Sequence, residues 1–98
     1  MLTTKQRTVL KSKASVIAPV FQIGKQGITD NVIKEINDAL KARELIKISV
    51  LKNADFTAKE IIAELAEMTD SEPVQAIGNK IVLYRLSDKK GIKHVLED

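Results

Sequence analysis

The chain has 98 residues, of which 44% are hydrophobic and 30% charged, and this size fits one domain with a modest core and no second domain. It contains no cysteine, which excludes disulfide frameworks, thiolate nucleophiles and zinc-thiolate sites. No run approaches the roughly 18 apolar residues of a membrane span, and residues 1–7 lack the apolar stretch of a signal peptide, so we expect a cytoplasmic protein.

The net charge of +3 is unevenly distributed along the chain. Residues 1–52 contain ten basic and four acidic residues, a net charge of +6, whereas residues 53–98 contain six basic and nine acidic residues, a net charge of −3. A face that binds a polyanion, opposite an acidic face, would produce this asymmetry, and so would an unevenly charged solvated surface. The charge pattern leaves both interpretations open.

The first predicted elements are a basic helix and a short strand. Thr3 or Thr4 can cap a helix that runs to about Ala14. Its basic residues are Lys5, Arg7, Lys11 and Lys13. Pro19 then fits the entry to a strand at residues 20–23, where its missing N–H does least harm.

A glycine turn, Gly24-Lys25-Gln26-Gly27, follows this strand, and we call it the GXXG turn. The glycines allow positive φ angles and a close approach to another backbone, the lysine adds a mobile cation, and the next helix start offers unpaired N–H groups. GXXG loops that clamp single-stranded RNA have this arrangement. An ordinary turn between a strand and a helix can have it too, so the motif alone is a weak signal.

A second helix is predicted after the GXXG turn, capped by Thr29 or Asp30. Its apolar residues recur at the helical period: Val32, Ile33, Ile36, Ala39 and Leu40. Residues 45–51 then alternate as a strand with one apolar face and one mixed face, so we expect partial coverage of the mixed face.

A third helix is predicted where Thr57 and Glu60 have the spacing of a capping box. The residues predicted to face inward are Ile61, Ile62, Leu65 and Met68, and those of the outer acidic stripe are Glu60, Glu64 and Glu67. Residues 74–77 and 80–85 then flank Gly78-Asn79, a two-residue hairpin signal. From Ser87 onward there is no periodicity, and we expect a flexible tail.

These elements predict a single α/β domain, residues 1–98, in which a helix is followed by β-α-β-α-β-β. Since crossover connections are right-handed, both longer helices should lie on one face of a four-stranded mixed sheet. The GXXG turn then lies at the carboxyl end of the first strand, where open α/β sheets bind ligands.

Three blocks of the sequence resemble the CRM (chloroplast RNA splicing and ribosome maturation) domain in its single-domain bacterial form. They are residues 23–28 (IGKQGI), 40–48 (LKARELIKI) and 77–85 (IGNKIVLYR), and the similarity extends over nearly the whole chain. The resemblance implies an RNA-binding domain related in fold to the C-terminal domain of translation initiation factor three. It also implies association with precursors of the large ribosomal subunit.

For the site, the resemblance places the RNA-contacting loop at Gly24, Lys25, Gln26 and Gly27, supported by basic residues of the first helix. Lys5, Arg7, Lys11 and Lys13 span more than one helix face, so we expect only some of them to contact RNA. Arg43 and Lys47 can extend the basic surface, although Arg43 can equally pair with a neighbouring carboxylate. Arg85 can contact phosphate or anchor the last strand.

No residue pattern predicts an enzyme, a cofactor or a metal site. The chain has no Walker motif of the form GxxxxGK[ST] and no visible pair of inward carboxylates, and His94 has no acidic or metal-binding neighbour in the sequence. Aromatic residues are too few for base stacking on the sheet. We expect Phe21 and Phe56 in the core, and Tyr84 half-buried with its hydroxyl at the rim.

The leading hypothesis is therefore a monomeric RNA-binding protein that acts in ribosome assembly, on large-subunit ribosomal RNA or a pre-ribosomal particle, without membrane association. The alternative is a protein-interaction module that uses the acidic helix or an open sheet face, and its binding would survive loss of Lys25. Charge does not distinguish RNA from DNA as the ligand, and the resemblance favours RNA.

Overall fold

Three α-helices and four β-strands form the part of the chain that the computed structural model describes, residues 2–91 and 94–96. The elements are α1 (Thr4–Ala14), β1 (Phe21–Ile23), α2 (Asp30–Arg43), β2 (Leu45–Val50), α3 (Ala58–Met68), β3 (Glu72–Ile77) and β4 (Lys80–Tyr84). This order confirms the predicted α/β fold, a helix followed by β-α-β-α-β-β.

The four strands form one mixed sheet in the order β1-β2-β4-β3. The β1 strand pairs parallel to β2, with Phe21 opposite Ile48, and the β2–β4 and β3–β4 pairs are antiparallel. The outer strand β3 contains Pro73, beside an irregularity in the register, where a residue without an N–H donor is tolerated. Both β1 and β3 are edge strands.

The larger hydrophobic cluster lies between one face of the sheet and the helices α2 and α3. Ile46 and Ile48 of β2 are completely buried there against Ile36 of α2 and Leu65 of α3. The two crossover helices, α2 and α3, thus lie on one face, as predicted. Phe21 and Phe56 pack against the same cluster.

The predicted inward position of Met68 is wrong, because its side chain is 49% exposed. The buried face of α3 runs through Ala58, Ile61 and Leu65, and one helical turn further it reaches Thr69, which is 2% exposed. The helix ends at Met68, so the last buried position of this face belongs to its cap.

The helix α1 covers part of the other face of the sheet. Leu10 and Ala14 pack there against Leu45, Val82 and Tyr84 in a second hydrophobic cluster. The prediction that Tyr84 is half-buried is wrong, since α1 leaves it only 6% exposed. Burial, with the nearby Glu44 charge as a smaller cause, raises the pKa of the Tyr84 hydroxyl.

The described part of the tail packs against the domain, although its sequence has no periodicity. Ser87 is buried and its hydroxyl donates to the carbonyl of Lys41, while Val95 and Leu96 pack against the α1 cluster. These contacts join residues far apart in sequence, so periodicity does not reveal them.

Candidate nucleic-acid interface

The GXXG turn is closed by a hydrogen bond in which the N–H of Gly27 donates to the carbonyl of Gly24 at 2.9 Å. Gly27 has a φ of +69°, the left-handed conformation that favours glycine. Gly24 has no positive φ but has little free space around it, because a Cβ there would lie 3.3 Å from Leu51 Cδ1 and 3.4 Å from Asn53 Oδ1. The two glycines therefore have different roles, and only Gly27 has the predicted positive φ.

Lys25 and Gln26 form the exposed tip of this turn. Within the part of the chain that the structure describes, their main-chain N–H groups donate to no other protein group. Successive unpaired N–H groups in a turn can receive an anion. The tip thus presents two N–H donors beside the Lys25 ammonium group.

The N-terminus of α2 contributes less to anion binding than the sequence indicated. The Thr29 side chain caps the helix by accepting the N–H of Val32 at 3.1 Å, so one N–H is already paired. Asp30 in the first turn places an exposed negative charge beside the remaining N–H groups. The turn itself is therefore the better anion receptor.

Two further segments meet the GXXG turn at the same end of the sheet. The N–H of Leu51 donates to the carbonyl of Ile23 at 2.8 Å, and the N–H of Val50 donates to that of Asn79 at 2.7 Å. The first bond places the segment after β2 beside the end of β1, and the second places the β3–β4 turn beside the end of β2.

This arrangement adds two cations, Lys52 and Lys80, that the sequence reasoning did not single out. Lys52 is exposed, and Nζ of Lys80 donates to Oδ1 of Asn79 at 2.9 Å. Asp55 lies at the same end and lines one cavity with Lys52, so the segment is not uniformly basic. The nearness of Lys52 and Lys80 to the turn depends on the strand order, which residue spacing does not reveal.

The basic residues of α1 divide into exposed and tethered side chains. Lys5, Lys11 and Lys13 are exposed. Arg7 is half-buried on the face of Leu10, and its Nη1 donates to the carbonyl of Pro73 in β3. Arg7 therefore fastens α1 to the sheet, whereas the lysines remain accessible to a ligand.

Lys11 and Lys47 line one shallow depression of about 240 Å³ on the α1 face of the sheet. Lys80 lies on this face as well, because it is opposite Ser49, two residues after Lys47 in β2. No described acidic residue lines the depression. We call Lys11, Lys47 and Lys80 the lysine strip.

Lys13 and Arg43 lie elsewhere, on a groove beside residues 17–20, which precede β1. Arg43 is the exposed last residue of α2. Among the described residues no carboxylate pairs with Arg43, so the alternative of an ion pair with a neighbour is not observed. The site residues predicted from the sequence thus occupy more than one place on the surface.

Arg85 anchors β4 to α2 and α3. Its Nη1 donates to Asn37 Oδ1 at 2.8 Å and to the carbonyl of Thr69 at 2.6 Å, and its Nη2 donates to the carbonyl of Asn37 at 3.1 Å. These bonds occupy the guanidinium group. The structure therefore favours the anchoring role over the phosphate contact.

His94 has an acidic partner, contrary to the sequence reasoning, since its Nδ1 lies 2.7 Å from Glu44 Oε2. The Glu44 carboxylate also accepts the N–H groups of Ser87 and Val95, at 2.7 and 2.8 Å. Burial would raise the pKa of this carboxyl, but the donors from Ser87, His94 and Val95 outweigh it and lower the pKa. The carboxylate is thus held charged inside the domain.

Neither a metal site nor a membrane-spanning helix is found in the described ranges, 2–91 and 94–96. No group of three or more His, Cys, Asp or Glu side chains is placed there to hold a metal ion. None of the helices found there is both long enough and apolar enough to cross a membrane.

Comparison with known proteins gives a family match over residues 2–85, to the CRS1 / YhbY (CRM) domain. A Bacillus subtilis relative named "Probable RNA-binding protein YqeI" is 51% identical over 87 residues, which cover 89% of this chain and 91% of the relative. A Haemophilus influenzae relative named "RNA-binding protein" is 39% identical and covers 94% of this chain and 93% of its own.

A solved structure is similar in fold as well as in sequence. The solution structure of SAV1595 from Staphylococcus aureus superposes with a TM-score of 0.77 at 52% identity, covering 92% of this chain and 94% of that chain. The similarity thus extends over sequence and architecture together.

Proposed function

The chain belongs to the CRS1 / YhbY (CRM) domain family, and from this premise we propose that it binds RNA through the GXXG turn and the lysines around it. Two relatives that match nearly the full chain are named as RNA-binding proteins. The proposal assigns the same ligand class, RNA, to this chain and places its receptor at the GXXG turn.

The single observation that supports this receptor is the tip of the turn. Lys25 and Gln26 present two unpaired main-chain N–H groups next to an exposed ammonium group. Such groups bind phosphate oxygens without reading base identity. Lys52 and the lysine strip extend the positive charge beyond the turn, so a strand of RNA meets several cations in succession.

We further propose that the RNA is large-subunit ribosomal RNA or its precursor particle, and that a cytoplasmic monomer acts there without covalent chemistry. The support is the resemblance of three sequence blocks to the CRM domain, together with a receptor suited to backbone and shape. Under this proposal the domain stabilises an intermediate of ribosome assembly.

The rival hypothesis, a protein-interaction module, has less support from the fold. The sheet face that an interaction partner would need is partly covered by α1 through Leu10 and Ala14. Exposed Glu64 and Glu67 on α3 remain available, and binding through them would not depend on Lys25.

Crosslinking in cells, followed by sequencing of the attached nucleic acid, tests the proposal with the Lys25→Glu variant. The control is Lys41→Glu, an equal charge change on α2, about 16 Å along the helix from Asp30. We expect large-subunit ribosomal RNA to be enriched with the unaltered chain and the control, and to be lost with Lys25→Glu.

Three outcomes would contradict parts of this proposal. Enrichment of no RNA would favour the protein-interaction hypothesis. Enrichment of RNA that is unchanged in Lys25→Glu would remove the GXXG turn from the site. If other RNA classes were enriched and this enrichment were lost in Lys25→Glu, the GXXG turn would remain the binding site, but ribosomal RNA would not be the ligand.

A further inference from the structure

The groove lined by Lys13 and Arg43 is a candidate binding site that is distinct from the GXXG turn. Its volume is about 710 Å³, within the range of roughly 300–1,000 Å³ typical of ligand sites. Residues 17–20, Leu45 and Val95 give it an apolar lining, and Lys13, Arg43 and His94 are its polar residues. It adjoins the start of β1, whereas the turn follows the end of β1.

The described residues that line the groove are apolar, apart from Lys13, Arg43 and His94. None of the described residues that line it is acidic. Glu44, which adjoins Arg43 in the sequence, is completely buried and directs its oxygens to Ser87, His94 and Val95. Among the described lining residues, Lys13 and Arg43 therefore adjoin an apolar cavity without an opposing carboxylate, a combination that favours a ligand with an anionic group and an apolar body.

A nucleotide has both parts, an anionic phosphate and a flat base with two apolar faces. Aromatic side chains usually stack on such bases, but Tyr84 is buried and both phenylalanines pack against the core. A guanidinium plane can also stack on a base, and Arg43 is exposed at the groove. Lys13 supplies a point charge suited to the phosphate.

Resting on the proposed RNA-binding function, we propose that the groove holds one unpaired nucleotide of the bound RNA strand. Arg43 stacks on its base and Lys13 contacts its phosphate.

The position of β1 connects this groove with the turn. Because β1 is an edge strand, no strand lies beyond it. Val20 at the groove and Gly24 at the turn are four residues apart, about 13 Å in extended chain. A single RNA strand that follows this edge can contact both the groove and the GXXG turn. Binding of a free nucleotide in the groove, by contrast, should not depend on the turn.

Substitutions of Arg43 separate stacking from charge. We expect Arg43→Lys to weaken binding of an unstructured single-stranded RNA about five- to tenfold without changing the salt dependence, because the charge stays and the plane is lost. Arg43→Ala should weaken it further and lower the slope of log K against log salt by about 1. The control Lys41→Ala removes the same charge two positions away on α2, about 200° around the helix.

Fluorescence anisotropy over a series of salt concentrations measures these changes, and thermal unfolding checks that every variant is folded. In parallel, NMR should show contacts between base protons and the methyl groups of Ile17, Val20 and Val95. The same titration with a nucleoside monophosphate tests whether the strand is required.

Each result decides between distinct conclusions. If Lys25→Glu lowers affinity while all Arg43 variants bind like the unaltered chain, the groove proposal is wrong and the RNA-binding function stands. If the unaltered chain binds no RNA, the proposed function and the groove assignment fail together. If the monophosphate fills the groove as tightly as the strand does, the occupant is a free nucleotide and the assignment to RNA is wrong.

Discussion

Glu44 and His94 are 50 residues apart in sequence, yet Oε2 of Glu44 lies 2.7 Å from Nδ1 of His94. Glu44 caps α2 with a φ of 65°, its N–H donates to the carbonyl of Leu40, and its carbonyl accepts the N–H of Arg85. Its carboxylate also accepts the N–H groups of Ser87 and Val95. One buried residue thus joins the end of α2, the end of β4 and the tail.

The lowered pKa of Glu44 predicts a loss of stability in acid. Because the folded-state pKa lies below the unfolded value of about 4.3, the charged carboxylate stabilises the fold above that pH, and the stabilisation is lost as pH falls through the folded-state pKa. Urea unfolding at several pH values should show a shallower acid dependence in Glu44→Gln. At neutral pH this variant should lose about 1–3 kcal/mol, because donors lose a charged acceptor.

Glu64→Gln is the control for this comparison, since Glu64 is exposed on α3. It should keep the acid dependence of the unaltered chain. Equal acid dependence in all three proteins would show that the Glu44 carboxylate does not stabilise the fold.

The two glycines of the GXXG turn should differ in their tolerance of alanine. Gly27→Ala puts a Cβ on a residue with φ +69° and should cost about 1–2 kcal/mol. Gly24→Ala meets mainly Leu51 Cδ1 at 3.3 Å, which a flexible side chain can relieve, so its cost should be smaller. Thermal unfolding measures both, and a larger loss for Gly24→Ala would contradict these roles.

Arg85→Met should lower stability and leave RNA affinity unchanged. The substitution removes every donor to Asn37 Oδ1 and the Thr69 carbonyl, and an acceptor left without its donor costs about 1–3 kcal/mol. Chemical unfolding and RNA titration of the same samples provide the measurement. A fall in affinity without a fall in stability would mean that Arg85 contacts RNA.

Lys11 and Arg7 lie one turn apart on α1 but should differ in their effects. Substitution of Lys11 should change RNA binding, whereas substitution of Arg7 should change stability. Lys11 is exposed, so Lys11→Ala should reduce the salt slope of RNA binding by about 1 while the melting temperature stays nearly constant. Arg7→Met loses the bond to the Pro73 carbonyl and should lower the melting temperature without changing the slope. An unchanged slope in Lys11→Ala would remove Lys11, the α1 residue of the lysine strip, from the RNA contacts.

Features that depend on neighbouring residues could be predicted from the sequence. Thr3 and Thr57 each form a capping box with the residue three positions later. Gly78-Asn79 is the two-residue turn of the β3–β4 hairpin. The turn between β1 and α2 at the GXXG residues was predicted on the same local grounds. Helix caps and tight turns are fixed by short-range geometry, so their residue types identify them.

Features that join distant residues could not be predicted. The contact of Arg85 with Asn37 spans 48 residues, and that of Arg7 with Pro73 spans 66. No spacing in a single sequence indicates such pairs, so both arginines resembled candidate phosphate ligands. Lys80 was overlooked for the same reason, because its position beside β2 follows from strand pairing.

The contact between Arg7 and Pro73 also affects the outer edge of the sheet at β3. A proline offers no N–H to an approaching strand, and Arg7 occupies the Pro73 carbonyl, so β3 is a poorer template at Pro73 for pairing with another chain. If the chain binds RNA as proposed, the phosphates would reduce the charge repulsion between copies that bind along one strand. The β3 edge at Pro73 opposes edge-to-edge pairing under those conditions.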